Sequence, residues 1–163
     1  DLKYKIIRGN IDTRIKKLHD GLYDAIVLSY AGMKSLEIDK EISEIFSVKE
    51  LIPSAGQGII ALQCRKEDKD VISLLKKINH TETFYRACAE RNVLKVLEGD
   101  CETAVGAHAS INGAKIDLEA ELFSLDGSQR FYEKSSSKIE DAHELGKKVG
   151  ETLKAISNNS YKR

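Results

Sequence analysis

The sequence predicts two architectures in succession, an α/β segment and then an antiparallel α+β unit. Three observations predict it. Apolar runs of strand length alternate with helix-like stretches in the first third. Two turn signals, Asn112-Gly113 and Asp126-Gly127, separate segments that alternate apolar and polar residues. The last long stretch carries its apolar residues at helical spacing.

The elements follow in order. Tyr4 to Ile7 is a short β-prone run. Asp12 is a good N-cap, because its carboxylate can accept the unpaired amides of a first helical turn. Ile15 and Leu18 then share a face, and Gly21 is a C-terminal stop. Ala25 to Leu28 is a continuous apolar run, as expected of a strand buried on both faces. Short helices are expected over about 31–36 and 39–46. This order belongs to part of a largely parallel sheet, and one strand–helix–strand unit cannot cover both faces of such a sheet. A loop, Pro53 to Gly58, holds the one proline, and Ile59 to Cys64 is a further apolar strand. A helix over about 68–78 would bury Val71, Ile72, Leu74, Leu75 and Ile78. The next helix, to about Glu98, starts near Thr81, where Asn79 and Glu82 have capping-box spacing. It carries Phe84, Ala87, Cys88, Arg91, Leu94 and Leu97.

Beyond Gly99 the character changes. Val105, Ala107, Ala109 and Ile111 alternate along one strand, and Ile116, Leu118, Ala120 and Leu122 along a second. Gln129 to Glu133 is a third strand, and Ser135 to Ser137 reads as a linker. A helix over about 139–156 presents Ala142, Leu145, Val149, Leu153 and Ile156 on one side, and residues 158–163 read as a frayed tail. The expected C-terminal unit is a three-stranded meander backed by helices, with a boundary near 98–101.

Composition narrows the function classes. The chain has 163 residues, 26 basic against 26 acidic, and 41% hydrophobic residues. Zero net charge argues against a dedicated nucleic-acid binder. No apolar run approaches the roughly 20 residues of a membrane span. Three cysteines at irregular spacing form no disulfide scaffold and no CxxC metal pair, which favours a reducing, cytoplasmic setting. The four histidines are scattered, so no metal site is expected. The first residue is Asp1 in a strand-like run, so a longer protein with a removed upstream part is expected.

Three segments could carry chemistry. Cys101 lies in a loop between a helix end and a sheet. An accessible thiol there can be a nucleophile or an attachment point, or simply a half-buried turn residue. Its neighbours Asp100 and Glu102 disfavour the thiolate, which suits an anchor formed once better than a turnover nucleophile. Cys64 and Cys88 read as core fillers. Arg8 and Arg14 flank a strand-to-helix turn, where backbone amides and the helix dipole favour anions. Their guanidinium groups can grip carboxylates, and the chain has only seven arginines against nineteen lysines. A solvated surface loop is the other reading. In Ser54-Ala55-Gly56-Gln57-Gly58 the glycines allow close backbone approach and Gln57 both donates and accepts. No GK[ST] follows, so this is not a P-loop, and an ordinary turn is equally compatible.

Taken in order, these segments resemble the porphobilinogen deaminase (hydroxymethylbilane synthase) family. The resemblance rests on RGNIDTRIKKLHDGLYDAIVLSYAGMKSL, LIPSAGQGIIALQCR and NHTETFYRACAERNVLKVLEGDCETAVGAHA. It implies a transferase of tetrapyrrole (haem) biosynthesis, which condenses porphobilinogen into a linear tetrapyrrole with release of ammonia. It implies a dipyrromethane cofactor held by a thioether to Cys101. It also implies carboxylate binding by Arg8 and Arg14, and a cleft segment at Gln57 and Gly58. The implied fold of the first part is a partial periplasmic-binding-protein-like sheet. By this resemblance residues 1–53 are the end of domain 2, 54–98 the returning segment of domain 1 with connecting helices, and 99–163 the C-terminal α+β domain. The family's catalytic aspartate falls in an N-terminal half outside this chain, so no catalytic residue is assigned here and the chain alone is expected to be inactive. The full-length protein is expected to be a cytoplasmic monomer that binds neither nucleic acid nor membrane. Two positions depart from the family pattern. Ser35 stands where an arginine is usual, next to Lys34, and Ala104 where a proline is common. The rival readings are a small-anion binding module and a degenerate, non-catalytic protein.

Overall fold

The computed structural model describes residues 2–100 and 103–162. The chain divides into two compact units, Asp1–Ile45 and Phe46–Arg163.

Among its described residues the first unit holds two short helices and a single 3₁₀ turn. Helix α1 spans Ile11–His19 and α2 spans Tyr30–Ser35, with the 3₁₀ turn at Asp39–Glu41. Asn10, not Asp12, caps α1: its side chain accepts from the Thr13 amide at 2.9 Å, and Asp12 sits in the first turn where the dipole favours it. Gly9 enters this cap at φ +123°, a conformation that suits glycine. Asp20 is the C-cap, followed by Gly21 at φ +73°. The helix expected over 39–46 is reduced to the 3₁₀ turn.

The second unit contains α3 (Lys69–Ile78), α4 (Thr81–Leu97), three strands and α5 (Ala142–Ser157). Strands β1 (Val105–Asn112), β2 (Lys115–Phe123) and β3 (Arg130–Lys138) form an antiparallel meander in the order β1-β2-β3. Asn112 pairs with Lys115, leaving Gly113 and Ala114 as a two-residue turn, with Gly113 at φ +60°. Ser135 to Ser137, expected as a linker, lie inside β3 opposite Leu118, Asp117 and Ile116. A low-propensity run is carried as strand by the ladder it completes.

The helices α4 and α5 cover the inner face of this sheet. Ile116, Leu118 and Leu122 from β2, Val93 and Leu97 from α4, and Val149 and Leu153 from α5 are fully buried together. Each such side chain contributes about 2 kcal/mol relative to exposure. The buried face of α4 is Ala89, Val93 and Leu97, together with the polar Glu90 and Asn92. Of the residues named on this helix from the sequence, Leu97 is buried, whereas Phe84 is 58% exposed and Arg91 is exposed as well. Its N-cap is His80, whose ring accepts from the Thr83 amide at 3.3 Å, rather than an Asn79 capping box. On α5, Ala142, Leu145, Val149 and Leu153 are buried as expected, while Ile156 is exposed.

Three expected strands form no ladder among the described residues: 4–7, 25–28 and 59–64. Their apolar side chains meet little in this chain, with Tyr4 97%, Val27 67% and Ile60 89% exposed. A strand is a property of a pair, and no described segment pairs with them. Helix α3 has the expected length but buries no residue, and Leu74 and Ile78 stand in the open.

Residues 158–162 are not frayed. Tyr161 is 2% exposed and its hydroxyl donates to the Leu97 carbonyl at 3.0 Å. The Leu125 amide donates to the Ser160 carbonyl at 3.0 Å. Lys162 lies 2.8 Å and Lys154 3.6 Å from the Glu98 carboxylate. The Lys162 contact, reinforced by Lys154, holds the Glu98 pKa below its ordinary value.

Two predictions follow from these contacts. A Cβ at Gly146 would press into the Ala89 carbonyl oxygen of α4. Alanine gains about 1 kcal/mol of helix propensity over glycine, but forcing two backbones apart costs more. Gly146→Ala is therefore expected to lower the unfolding free energy, by about 1–2 kcal/mol net in urea titration; equal or greater stability would contradict the close approach. For Glu98 the folded pKa is depressed, so the pair's stabilisation is present above the unfolded pKa and lost as pH falls through the folded value. Lys162→Ala should move the Glu98 titration, followed by NMR, upward toward that of a free glutamate. An unmoved midpoint would show that the tail does not engage Glu98.

Candidate functional site

Helix α4 ends at Leu97 with Glu98 as C-cap at φ +55°, and Gly99 donates back to the Leu94 carbonyl at 3.0 Å. The chain then turns toward β1. Cys101 and Glu102 lie outside the described residues, so the structure says nothing of the thiol itself. Their flanks are described. The Asp100 amide donates to Thr103 Oγ1 at 3.1 Å, and the Thr103 amide donates to Asp100 Oδ1 at 3.2 Å. These reciprocal bonds join Asp100 to Thr103, the described residues on either side of positions 101 and 102. The end of α4 is fixed at Glu98 by two lysines from α5 and the tail, and at Leu97 by Tyr161.

An open groove of about 450 Å³ runs along α4 to Gly99. Phe84 and Cys88 give it an apolar floor, and Arg91 and Lys95 line the end nearest Gly99. The two cations at that end are not among the residues the sequence singles out for chemistry, because a basic pair on a helix does not by residue type alone mark a site. Arg91 three residues before Leu94, and Lys95 one turn further on, are the spacing that would have revealed an exposed basic edge.

The turn over 54–58 is held to the same sheet. The Pro53 carbonyl accepts from the Ala107 amide of β1 at 2.9 Å, and the Gln57 amide donates to the Ser54 carbonyl at 3.0 Å. Gly56 and Gly58 both have φ +76°, so the backbone conformation requires glycine at each. Gln57 and Gly58 are exposed. Ahead of the turn Ile52 is 7% exposed; a Cβ on Gly106 would come within 2.6 Å of its carbonyl oxygen. The absence of a side chain at Gly106 lets segment 48–53 lie against the sheet.

In the first unit, Arg8 and Arg14 flank the N-terminal turn of α1. Arg8 is exposed, and its carbonyl accepts from Lys17 Nζ at 2.9 Å. Arg14 is half-buried, and its Nε donates to the Gly9 carbonyl at 2.7 Å, which leaves the terminal guanidinium nitrogens for a ligand. Lys34 and Ser35 form the last turn of α2. The donor set of this unit, guanidinium groups beside a helix N-terminus, has the chemistry for an oligocarboxylate.

Elsewhere the polar groups serve the fold. On the outer sheet face Arg130 lies 2.8 Å from Glu121, and the Tyr132 hydroxyl donates to Glu119 at 3.0 Å. Burial, with help from Glu119, pushes the Tyr132 phenol upward. In the β2–β3 turn the Ser124 hydroxyl, and then Ser128, hold the Asp126 carboxyl down to about 2. Cys64 and Cys88 are free thiols, both half-buried. Among the described residues no group of three His, Cys, Asp or Glu side chains could hold a metal ion. No described helix is long and apolar enough to cross a membrane.

Residues 1–73 match the family model "Porphobilinogen deaminase, dipyromethane cofactor binding domain", and residues 84–155 match "Porphobilinogen deaminase, C-terminal domain". A porphobilinogen deaminase of Desulforamulus reducens is 36% identical over 156 residues, covering 96% of this chain and 50% of its own length. One from Blochmanniella pennsylvanica is 40% identical over 153 residues, 94% of this chain and 51% of its own. One from Coxiella burnetii is 40% identical over 161 residues, 99% of this chain and 52% of its own. The chain thus spans about half the length of the curated relatives it matches. With both models matched in sequence order, the chain belongs to the porphobilinogen deaminase family.

Proposed function

We propose that this chain is the C-terminal half of a hydroxymethylbilane synthase, a transferase that joins porphobilinogen units into a linear tetrapyrrole and releases ammonia at each step. The observation that carries the reading is the order of parts. A cofactor-binding segment is followed by a C-terminal unit, and Cys101 falls in the sequence between the end of α4 and the start of β1. Cys101 anchors dipyrromethane through a thioether. That group, when bound, supplies the primer on which the chain of pyrroles grows.

The residues of this chain bind and orient. Each pyrrole unit brings two carboxylates, so a lengthening product accumulates negative charge. Enclosing it without cations would be prohibitive. Arg8 and Arg14 take acetate and propionate groups at the N-terminus of α1. Arg91 and Lys95 add positive charge at the end of the α4 groove nearest Gly99, two residues before Cys101. Gln57 and Gly58 line the cleft with exposed backbone and one amide side chain. Asp100 and Glu102 keep the thiol from acting as a general nucleophile, which suits a bond made once.

The exposed apolar residues of 4–7, 25–28 and 59–64, and the open face of α3, fit strands and a helix of a periplasmic-binding-protein-like α/β sheet. In this reading residues 1–53 close domain 2, residues 54–98 return through domain 1, and residues 99–163 form domain 3. The proton-transferring carboxylate belongs to the other half of the relatives' length. The assembled enzyme is a cytoplasmic monomer.

Two measurements test this. Produced together with the N-terminal half of a relative, the chain should gain the intact mass of one dipyrrole and colour with an aldehyde reagent. Cys101→Ser should show neither, and modification of that variant would remove the anchor assignment. Arg8→Ala and Arg14→Ala should each weaken porphobilinogen use roughly tenfold or more, the scale of one charge-assisted hydrogen bond. Unchanged kinetics in both would move the carboxylate contacts elsewhere.

A further inference from the structure

Glu90 is 3% exposed, on the covered face of α4, and no ion pair of its carboxylate is formed among the described residues. Its partners are two backbone amides from distant segments. Oε1 accepts from the Ala109 amide of β1 at 2.9 Å, and Oε2 accepts from the Gly56 amide at 2.8 Å.

The reason for a carboxylate lies in the edge of β1. The Ala107 amide points away from β2 and is met by the Pro53 carbonyl at 2.9 Å. Ala109 shares that parity, so its amide and carbonyl also point to the open edge. Arg86, one turn before Glu90 on α4, donates to the Ala109 carbonyl at 2.8 Å. The chain from Pro53 onward therefore runs beside β1 and begins to pair with it. At Gly56 the pairing fails, because Gly56 and Ala109 both present N–H groups. Two donors cannot bond to each other. An ionised carboxylate, acceptor-only on both oxygens, bridges them; glutamine would turn a donor toward one of the two.

We propose that Glu90 is a positioning residue that latches the 54–58 turn, and with it Gln57 and Gly58, to the edge of the β1-β2-β3 sheet. The latch joins the two matched family segments, since Gly56 lies in the first and Glu90 and Ala109 in the second. What the latched turn does for the reaction rests on the functional reading above. The latch itself does not.

Amide hydrogen exchange of the chain, followed by NMR, tests it without substrate or cofactor. In the unaltered chain the Gly56 amide should exchange about tenfold or more slowly than that of Gly58, which donates to no described group in the same turn. In Glu90→Gln the exchange of Gly56, Ala109 or both should rise about tenfold or more, while Leu118 and Ala120 in the central strand keep their protection. A merely space-filling glutamate would lower the melting temperature without this selective release. A Gly56 amide as fast as Gly58 in the unaltered chain would overturn the proposal, and that measurement stands even if Glu90→Gln does not fold. Slow exchange at both amides in a folded Glu90→Gln would overturn it as well. The dipyrrole mass at Cys101 is a separate readout, so failure of the latch and failure of the functional reading are distinct results.

Discussion

Two helices can lie at backbone distance only where side chains are missing, and Gly146 and Gly150 provide that for α4 and α5. A Cβ on Gly150 would reach within 2.8 Å of Val96 Cβ, and one on Gly146 would meet the Ala89 carbonyl. This contact fixes α4, and α4 fixes nearly everything else that can be placed near residue 101. Its C-terminal cap, Glu98 with Gly99, sets where the chain leaves the helix ahead of Cys101. Its outer side forms the groove with Arg91 and Lys95. Its inner side holds Glu90 against β1 and the 54–58 turn. The sheet alone, with one face covered by two helices, would leave the edge of β1 open; Pro53, Arg86 and Glu90 close it.

The second half of the chain was the more legible one. Asn112-Gly113 and Asp126-Gly127 mark both hairpins, and the alternation of Ile116, Leu118, Ala120 and Leu122 sets which face of β2 is buried. The serines of β3 were misread because local propensity favours a linker, whereas pairing with Ile116 and Leu118 decides the conformation. Helix α4 hid its buried face because Glu90 and Asn92 lie on it. Asn92 is covered because its side chain donates to the Cys88 carbonyl at 2.8 Å, and Glu90 because it serves two amides. Neither fact can be read from hydrophobic spacing. The tail was misread for a similar reason: one buried tyrosine and one lysine, reaching Leu97 and Glu98 across 64 residues, leave no periodic trace.

The apolar runs ahead of α3 behave differently. They are as strand-like as a sequence can make them, yet Ile6 is 81% and Ile60 89% exposed. The local signal and the environment disagree, and such disagreement marks surface that is complete only when something lies on it. Of the candidate site, the arginines at the α1 N-terminus and the glycine turn were visible from residue type and position. The cysteine was visible only as an odd thiol in a loop. Its meaning came from the ordered match to a family.

The central claim is that the sulfur of Cys101 carries the primer for a growing pyrrole chain. The most direct measurement is linear tetrapyrrole formation from porphobilinogen by this chain assembled with the N-terminal half of a relative, comparing cysteine with serine at position 101. The account predicts product from the cysteine form and none from Cys101→Ser. Equal turnover by the serine form would contradict it.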